Sequence, residues 1–196
     1  MDMNTKTIEN DLEYLRQRSE EVDFSDKSYL NEIEKLKEYC NREDSNTLAL
    51  AAVQVGILKR MIYIRNTNVN DLLNKEIDEA RVIINPVIIE RIGHTKYWEA
   101  CASCLNKMGL VNRPYQIKVK YYDELGKEKT EKFIGFEATV FSHEFDHING
   151  VLHIDKSEQI LDMEPKEREE FRKIHPYEII AKDGKFIEEG EKNERE

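Results

Sequence analysis

HEFDHINGVLH, from His143 to His153, decides how this chain is read. The run leading into it is apolar at helical spacing. Ala138, Phe141, Phe145 and Ile148 recur on one face, and Gly150 follows as a stop. The spacing predicts a helix over 136–148. Positions i and i+4 of a helix share a face, so the imidazoles of His143 and His147 can bind one metal ion. Glu144 then sits beside the first ligand. A carboxylate there can take a proton from water that the metal activates, and later return it. Asp146 can orient a ligand or face solvent. Two histidines leave a catalytic metal site one protein ligand short.

The third ligand has two candidate sources. His153 completes H-E-x-x-H-x-x-G-x-x-H, the pattern of the metzincin proteases, with Gly150 turning the chain and Met163 standing where a later methionine is needed. The other source is a cysteine. Cys101 and Cys104 lie upstream in WEACASCLN, residues 98–106. A Cys/His/His set with one open position also makes a catalytic site.

Further out, the patterns describe a mixed chain. Asp26 is placed to cap a helix running to about Asn41, with Leu30, Ile33, Leu36 and Cys40 as its apolar stripe. Cys40 reads as a core residue on that stripe. TLALAAVQVGI (47–57) is compact and apolar, and MIYI (61–64) reads as a buried strand. Residues 66–80 form a polar excursion. VIINPVIIE (82–90) is β-branched and broken at Asn85-Pro86. Residues 117–123 alternate as a half-buried strand, 123–127 turn, and 129–134 return as its partner. A charged helix is expected over 164–173, and a hairpin at Asp183-Gly184. No repeat or linker divides the chain. Residues 1–190 read as one catalytic domain and 191–196 as a solvated tail.

Composition removes several classes. Of 196 residues, 40 are Asp or Glu and 30 are Lys or Arg, so the net charge is −10. That balance argues against wholesale binding to a phosphate backbone. There are 8 glycines and 4 prolines, too few for a collagen-like or linker protein. Three cysteines do not make a disulfide framework, and a reduced compartment is the simpler reading. No run of apolar residues is long enough to span a membrane. MDMNTKTIENDLEYL lacks the basic and apolar regions of a signal peptide. A cytoplasmic protein that binds neither membrane nor nucleic acid is expected.

The sequence resembles the peptide deformylases. Three motifs of that family, G-Φ-G-Φ-A-A-x-Q, E-G-C-L-S and H-E-x-D-H, stand here as TLALAAVQ (Thr47–Gln54), EACAS (Glu99–Ser103) and HEFDH (His143–His147). The family's glycines are replaced by Thr47, Ala49 and Ala100, and its leucine by Ala102. LRQRSEEV (Leu15–Val22) and the strands around Ile84-Asn85-Pro86 are also similar, so the likeness covers roughly residues 13 to 156. Family members usually carry an arginine twelve residues after the ligand cysteine. Arg113 is twelve after Cys101 and nine after Cys104.

The resemblance implies an α+β fold of antiparallel β-sheets around a central helix carrying HEFDH. It implies that Cys101, His143 and His147 hold one divalent metal, with Fe2+ expected and Zn2+, Ni2+ or Co2+ also accepted. Glu144 would move the proton. The Gln54 amide and the Ala102 backbone N–H would hold the oxyanion. Glu99 and Arg113 would form a supporting ion pair. Leu48, Ala49, Tyr97, Glu99, Phe136, Thr139 and Val140 would surround the substrate. The implied activity is removal of the N-formyl group from formyl-methionine of nascent chains, at the ribosome, by a monomer. Two other readings stand beside it: a deformylase-like metal-binding protein with altered substrate or lost activity, and an HExxHxxGxxH metalloprotease.

Overall fold

The structure, a computed structural model, describes residues 4–42, 47–65 and 80–187. The polar stretch 66–79 and the expected tail 191–196 lie outside the described residues. The apolar and alternating runs become eight strands: β1 (Ala49–Ala51), β2 (Met61–Ile64), β3 (Arg81–Ala100), β4 (Lys107–Arg113), β5 (Gln116–Tyr122), β6 (Glu128–Ile134), β7 (Ser157–Asp162) and β8 (Glu178–Lys185). Among the described residues four α-helices accompany them: α1 (Leu12–Leu15), α2 (Tyr29–Cys40), α3 (Phe136–His147) and α4 (Pro165–Ile174). Among the described residues no helix is long and apolar enough to cross a membrane.

All eight strands join one continuous sheet through antiparallel pairs. The spine is β3, at 20 residues. Its first half pairs with β2 and β5, and its second half with β4 and β8. The strand was expected to break at Asn85-Pro86, and it runs through. Proline lacks an N–H for the ladder, and a bulge absorbs it between Ile84 and Val87. Asn85 takes a positive φ of 49° there, stabilised by its side chain. Its Oδ1 accepts the Val22 N–H at 2.8 Å, and its Nδ2 donates to the Val22 carbonyl at 3.0 Å.

MIYI is buried throughout because both faces of the sheet are covered there. Met61 and Tyr63 pack with Ile33, Leu36 and Cys40 of α2. Ile62 and Ile64 pack on the opposite side with Ala138 and Phe141 of α3 and with Ile148 just beyond it. Each such buried aliphatic side chain stabilises the fold by roughly 1.5–3 kcal/mol. Cys40 is the core residue expected. Leu30 is not on the buried stripe; it is 42% exposed. The helix starts at Tyr29 rather than at Asp26, whose carboxylate instead accepts the Ser28 N–H at 2.9 Å.

The C-terminal stretch also differs from expectation. Asp183-Gly184 does not turn a hairpin. β8 lies along β3 with a register shift between Ile92 and His94, and Gly184 sits in that irregularity with φ +82°. An exposed partner edge on β3 captured the segment in place of a local return.

Gly150 ends the run after α3 as expected, with φ +76°. The N-terminal segment lies directly against it. A methyl group built on Gly150 would meet the Arg16 carbonyl oxygen at 2.2 Å. Gly150→Ala therefore combines an unfavourable left-handed residue with a backbone clash. A loss of at least about 2 kcal/mol is expected in urea denaturation.

Candidate metal centre

The ligand types converge from two distant parts of the chain. α3 presents His143 and His147 one turn apart. Cys101 leaves the end of β3 and caps a short 3-10 turn, Ala102–Cys104. One donor atom from each of Cys101, His143 and His147 lies within 4.8 Å of the others, and all three residues are buried. Cys101 Sγ and His147 Nε2 are 3.2 Å apart. His143 turns its Nδ1 to Glu99 Oε2 at 2.8 Å, which leaves Nε2 for the cluster. His153 does not belong to this group of donors. Its ring stacks on His143 at 5.6 Å, and both its nitrogens are buried without a hydrogen-bond partner among the described residues.

This donor set fits a divalent metal on chemical grounds. A thiolate and two imidazoles suit borderline cations such as zinc and ferrous iron. The Cys104 thiol, with His147 and His143, holds the Cys101 thiol well below its usual range against the opposing effect of burial. Burial opposes charge on His143, but the Cys101 sulfur and the Glu99 carboxylate outweigh it and push the imidazole up. Such a buried thiolate–imidazolium arrangement is a site where a cation can replace protons. Burial pushes the His153 imidazole down to about 4, helped by His143; it is a neutral neighbour.

Behind the ligands runs a line of charges. The Arg113 guanidinium meets Glu99 in a two-pronged pair, Nε to Oε1 at 2.8 Å and Nη2 to Oε2 at 2.9 Å. Its third nitrogen, Nη1, donates to Asp146. Asp146 also accepts from Lys156 Nζ at 3.0 Å. Asp146 is thus buried and paired rather than solvent-facing. Burial opposes the charge on Glu99, but Arg113 and His143 hold its carboxyl well below the ordinary carboxylate range.

On the open side stand Glu144 and Gln54. Glu144 Oε2 accepts the Ala51 N–H at 2.8 Å. Burial pushes the Glu144 carboxyl up, opposed by the charge of the two imidazoles. Gln54 lies in a 3-10 turn, Ala52–Val55, after β1. Its Nε2 donates to Ser103 Oγ at 3.1 Å and to Cys101 Sγ at 3.3 Å. Its Oε1 shares the Ala51 N–H, at 3.0 Å. Ala102 opens its turn, where first-turn N–H groups have no acceptor within the turn. The Ala51 donor and the Ser103 acceptor around Gln54 were not singled out from the sequence. A backbone N–H leaves no mark in composition, and Ser103 stood out only as a motif position.

Beside Glu144 is a cavity of about 140 Å³ lined by Leu48, Ala49, Tyr97, Glu99, Phe136, Thr139, Val140, His143 and Glu144. It contains all seven residues expected around the substrate. Tyr97 and Phe136 meet edge to face at 5.2 Å, and each also meets Tyr177 edge to face. Tyr177, between α4 and β8, was not singled out from the sequence. Another cavity, about 230 Å³, lies behind α3, lined by residues including Arg91, Asn112 and Phe145, and holds none of the donor residues.

Comparison with known proteins shows the family. Residues 5–163 match the family described as polypeptide deformylase. The chain is 34% identical over 157 residues to the peptide deformylase of Thermoanaerobacter pseudethanolicus, covering 80% of this chain and 91% of that protein. It is similar to the crystal structure of a probable peptide deformylase from Synechococcus phage S-SSM7, with TM-score 0.67, 35% identity, and 79% and 99% of the two chains covered. For the peptide deformylase from Thermotoga maritima the TM-score is 0.67, the identity 31%, and the coverage 81% and 99%.

Removing the buried guanidinium should be costly, since it leaves two buried carboxylates with only His143 and Lys156 as partners. Arg113→Met is expected to lose about 3–5 kcal/mol in chemical denaturation. It should also weaken zinc binding about 10–100-fold, because Glu99 would no longer be fixed behind His143. Since the folded Glu99 carboxyl lies below its unfolded value of 4.5, its contribution is complete above that pH and is lost as the pH falls. Thermal melts below pH 4.5 should show this acid loss in the parent and a smaller one in Glu99→Gln.

Proposed function

Because the chain belongs to the polypeptide deformylase family, whose members are metal-dependent hydrolases that remove the N-formyl group from peptides, we propose that Cys101, His143 and His147 hold its metal. Glu144, Gln54 and Ala102 then carry the reaction. The observation behind this reading is the convergence of three buried donors within 4.8 Å. Ferrous iron is the metal we assign, with zinc, nickel or cobalt able to occupy the same donors. When bound, the metal supplies Lewis acidity that makes water nucleophilic at neutral pH.

The residues of the chain do the rest. The Glu144 carboxylate accepts the proton of the attacking water, and its burial favours that uptake. The water oxygen bonds to the formyl carbon. The Gln54 Nε2–H and the Ala102 N–H donate to the formyl oxygen as it becomes negative. The formyl C–N bond breaks, Glu144 returns its proton to the departing amine nitrogen, and formate leaves. Gln54 is held for this by the Ala51 N–H on its Oε1.

The apolar cavity takes the methionine side chain. The substrate backbone adds along β1, which ends the sheet order and pairs with β2 on one side. Glu99 lines the cavity but its carboxylate is occupied by Arg113 and His143, so we assign it a positioning role. The substrates are nascent chains, met at the ribosome, in the cytoplasm. Residues 1–190 work as one catalytic domain and as a monomer.

The protease reading would require His153 as a ligand. Cys101→Ala is expected to abolish stoichiometric zinc binding, and His153→Ala to retain it, by metal analysis after dialysis. The opposite pattern would overturn the ligand assignment. Freshly prepared ferrous enzyme should release formate from a formyl-Met peptide. Glu144→Gln should keep its metal while kcat/KM falls about 10²–10⁴-fold. An absence of turnover with iron, zinc and nickel alike would instead favour a relative with altered substrate or lost activity.

A further inference from the structure

Cys104 is a buried thiol that the proposed reaction leaves idle. It stands at the end of the 3-10 turn that Cys101 caps, and its backbone N–H donates to the Cys101 carbonyl at 3.0 Å. The two share one apolar cluster with Leu15 and Leu152. Both are free cysteines. CASC thus places two thiols in one turn, with the first at the turn's N-terminal cap. Cys-x-x-Cys at that position is the spacing in which one thiol readily attacks an oxidised form of the other. Cys104 is not among the three metal donors. Cys40 has no part in the pair: it lies in a different cluster, packed against α2 and β2.

We propose that Cys104 is a resolving thiol for Cys101, so that peroxide acting on the metal-free site yields a Cys101–Cys104 disulfide instead of irreversible over-oxidation. The first step forms a sulfur–oxygen bond: the Cys101 thiolate attacks hydrogen peroxide, the O–O bond breaks, and hydroxide leaves, giving the sulfenic acid. In the second step the Cys104 sulfur attacks the Cys101 sulfur, the S–O bond breaks, and the hydroxide departs with the Cys104 proton as water. Two thiols are oxidised by two electrons and one peroxide is reduced to two waters, the hydroxide of the first step taking up the proton that the Cys101 thiol had given up. Without Cys104 the sulfenic acid continues to the sulfinic and sulfonic acids, which thiol reductants do not reverse. The consequence for metal binding rests on Cys101 being a ligand: the disulfide form cannot bind, and reduction restores the site.

The test compares metal-free parent, Cys104→Ser and Cys40→Ser proteins, each treated with hydrogen peroxide, alkylated and mapped by mass spectrometry. Parent and Cys40→Ser should give the linked Cys101–Cys104 peptide. After dithiothreitol they should regain a full equivalent of zinc. Cys104→Ser should accumulate sulfinic acid at Cys101 and fail to regain zinc. Near-ultraviolet circular dichroism checks that this variant is folded, and Cys104→Ala repeats the comparison with a smaller side chain. Sulfinic acid at Cys101 of the parent, or a disulfide through Cys40, would overturn the proposal. If the reduced parent never binds zinc, the ligand assignment fails, while the peptide map still decides whether Cys104 resolves Cys101.

Discussion

A buried guanidinium must be neutralised where it stands, and Arg113 is only 3% exposed. It meets that demand with carboxylates from two other elements, Glu99 on β3 and Asp146 on α3. The requirement joins β3, β4 and the central helix at one point, since any shift among them would strand a charge in a dry interior. The same contacts aim the chemistry. Glu99, pinned on both oxygens by Arg113, accepts the His143 Nδ1–H and so fixes the orientation of that ring. Structural and functional demands meet here in a single side chain.

The open side of the site is built differently, from backbone groups and short turns. One N–H, that of Ala51, is shared between Gln54 and Glu144. It places the amide and the carboxylate on the same side of the donor cluster, and it does so from the edge strand β1. A peptide pairing with β1 would therefore arrive in register with both groups. Thr47 and Ala49 stand where the family carries glycine, yet Leu48 and Ala49 still line the cavity.

Much of the fold was legible from local pattern. The strand MIYI, the 117–134 hairpin and the helix bearing HEFDH follow from side-chain period, because a helix face and a strand face are set by residues three to four or two apart. The failures share one cause. Asn85-Pro86 reads as a break because proline cannot donate to a ladder; a bulge and the Val22 backbone rescue it from 63 residues away. Asp183-Gly184 reads as a hairpin because its turn chemistry is local; the free edge of β3 offered a better partner. Asp146 and Ser103 look like ordinary polar residues until their partners are known.

The sequence by itself determined the candidate donor types and the placing of His143, Glu144 and His147 on one helix turn, because helical geometry is local. Three ordered motifs also pointed to the family before any contact was known. The family resemblance pointed to Cys101 as the further donor, and only the tertiary structure shows its sulfur beside those histidines. Cys101, Cys104 and His153 all lie near them, but the cap of a short turn aims the Cys101 sulfur at the rings, and His153 stacks behind them. Direction of approach depends on how β3 leaves the sheet, which the local period of a helix or strand does not encode.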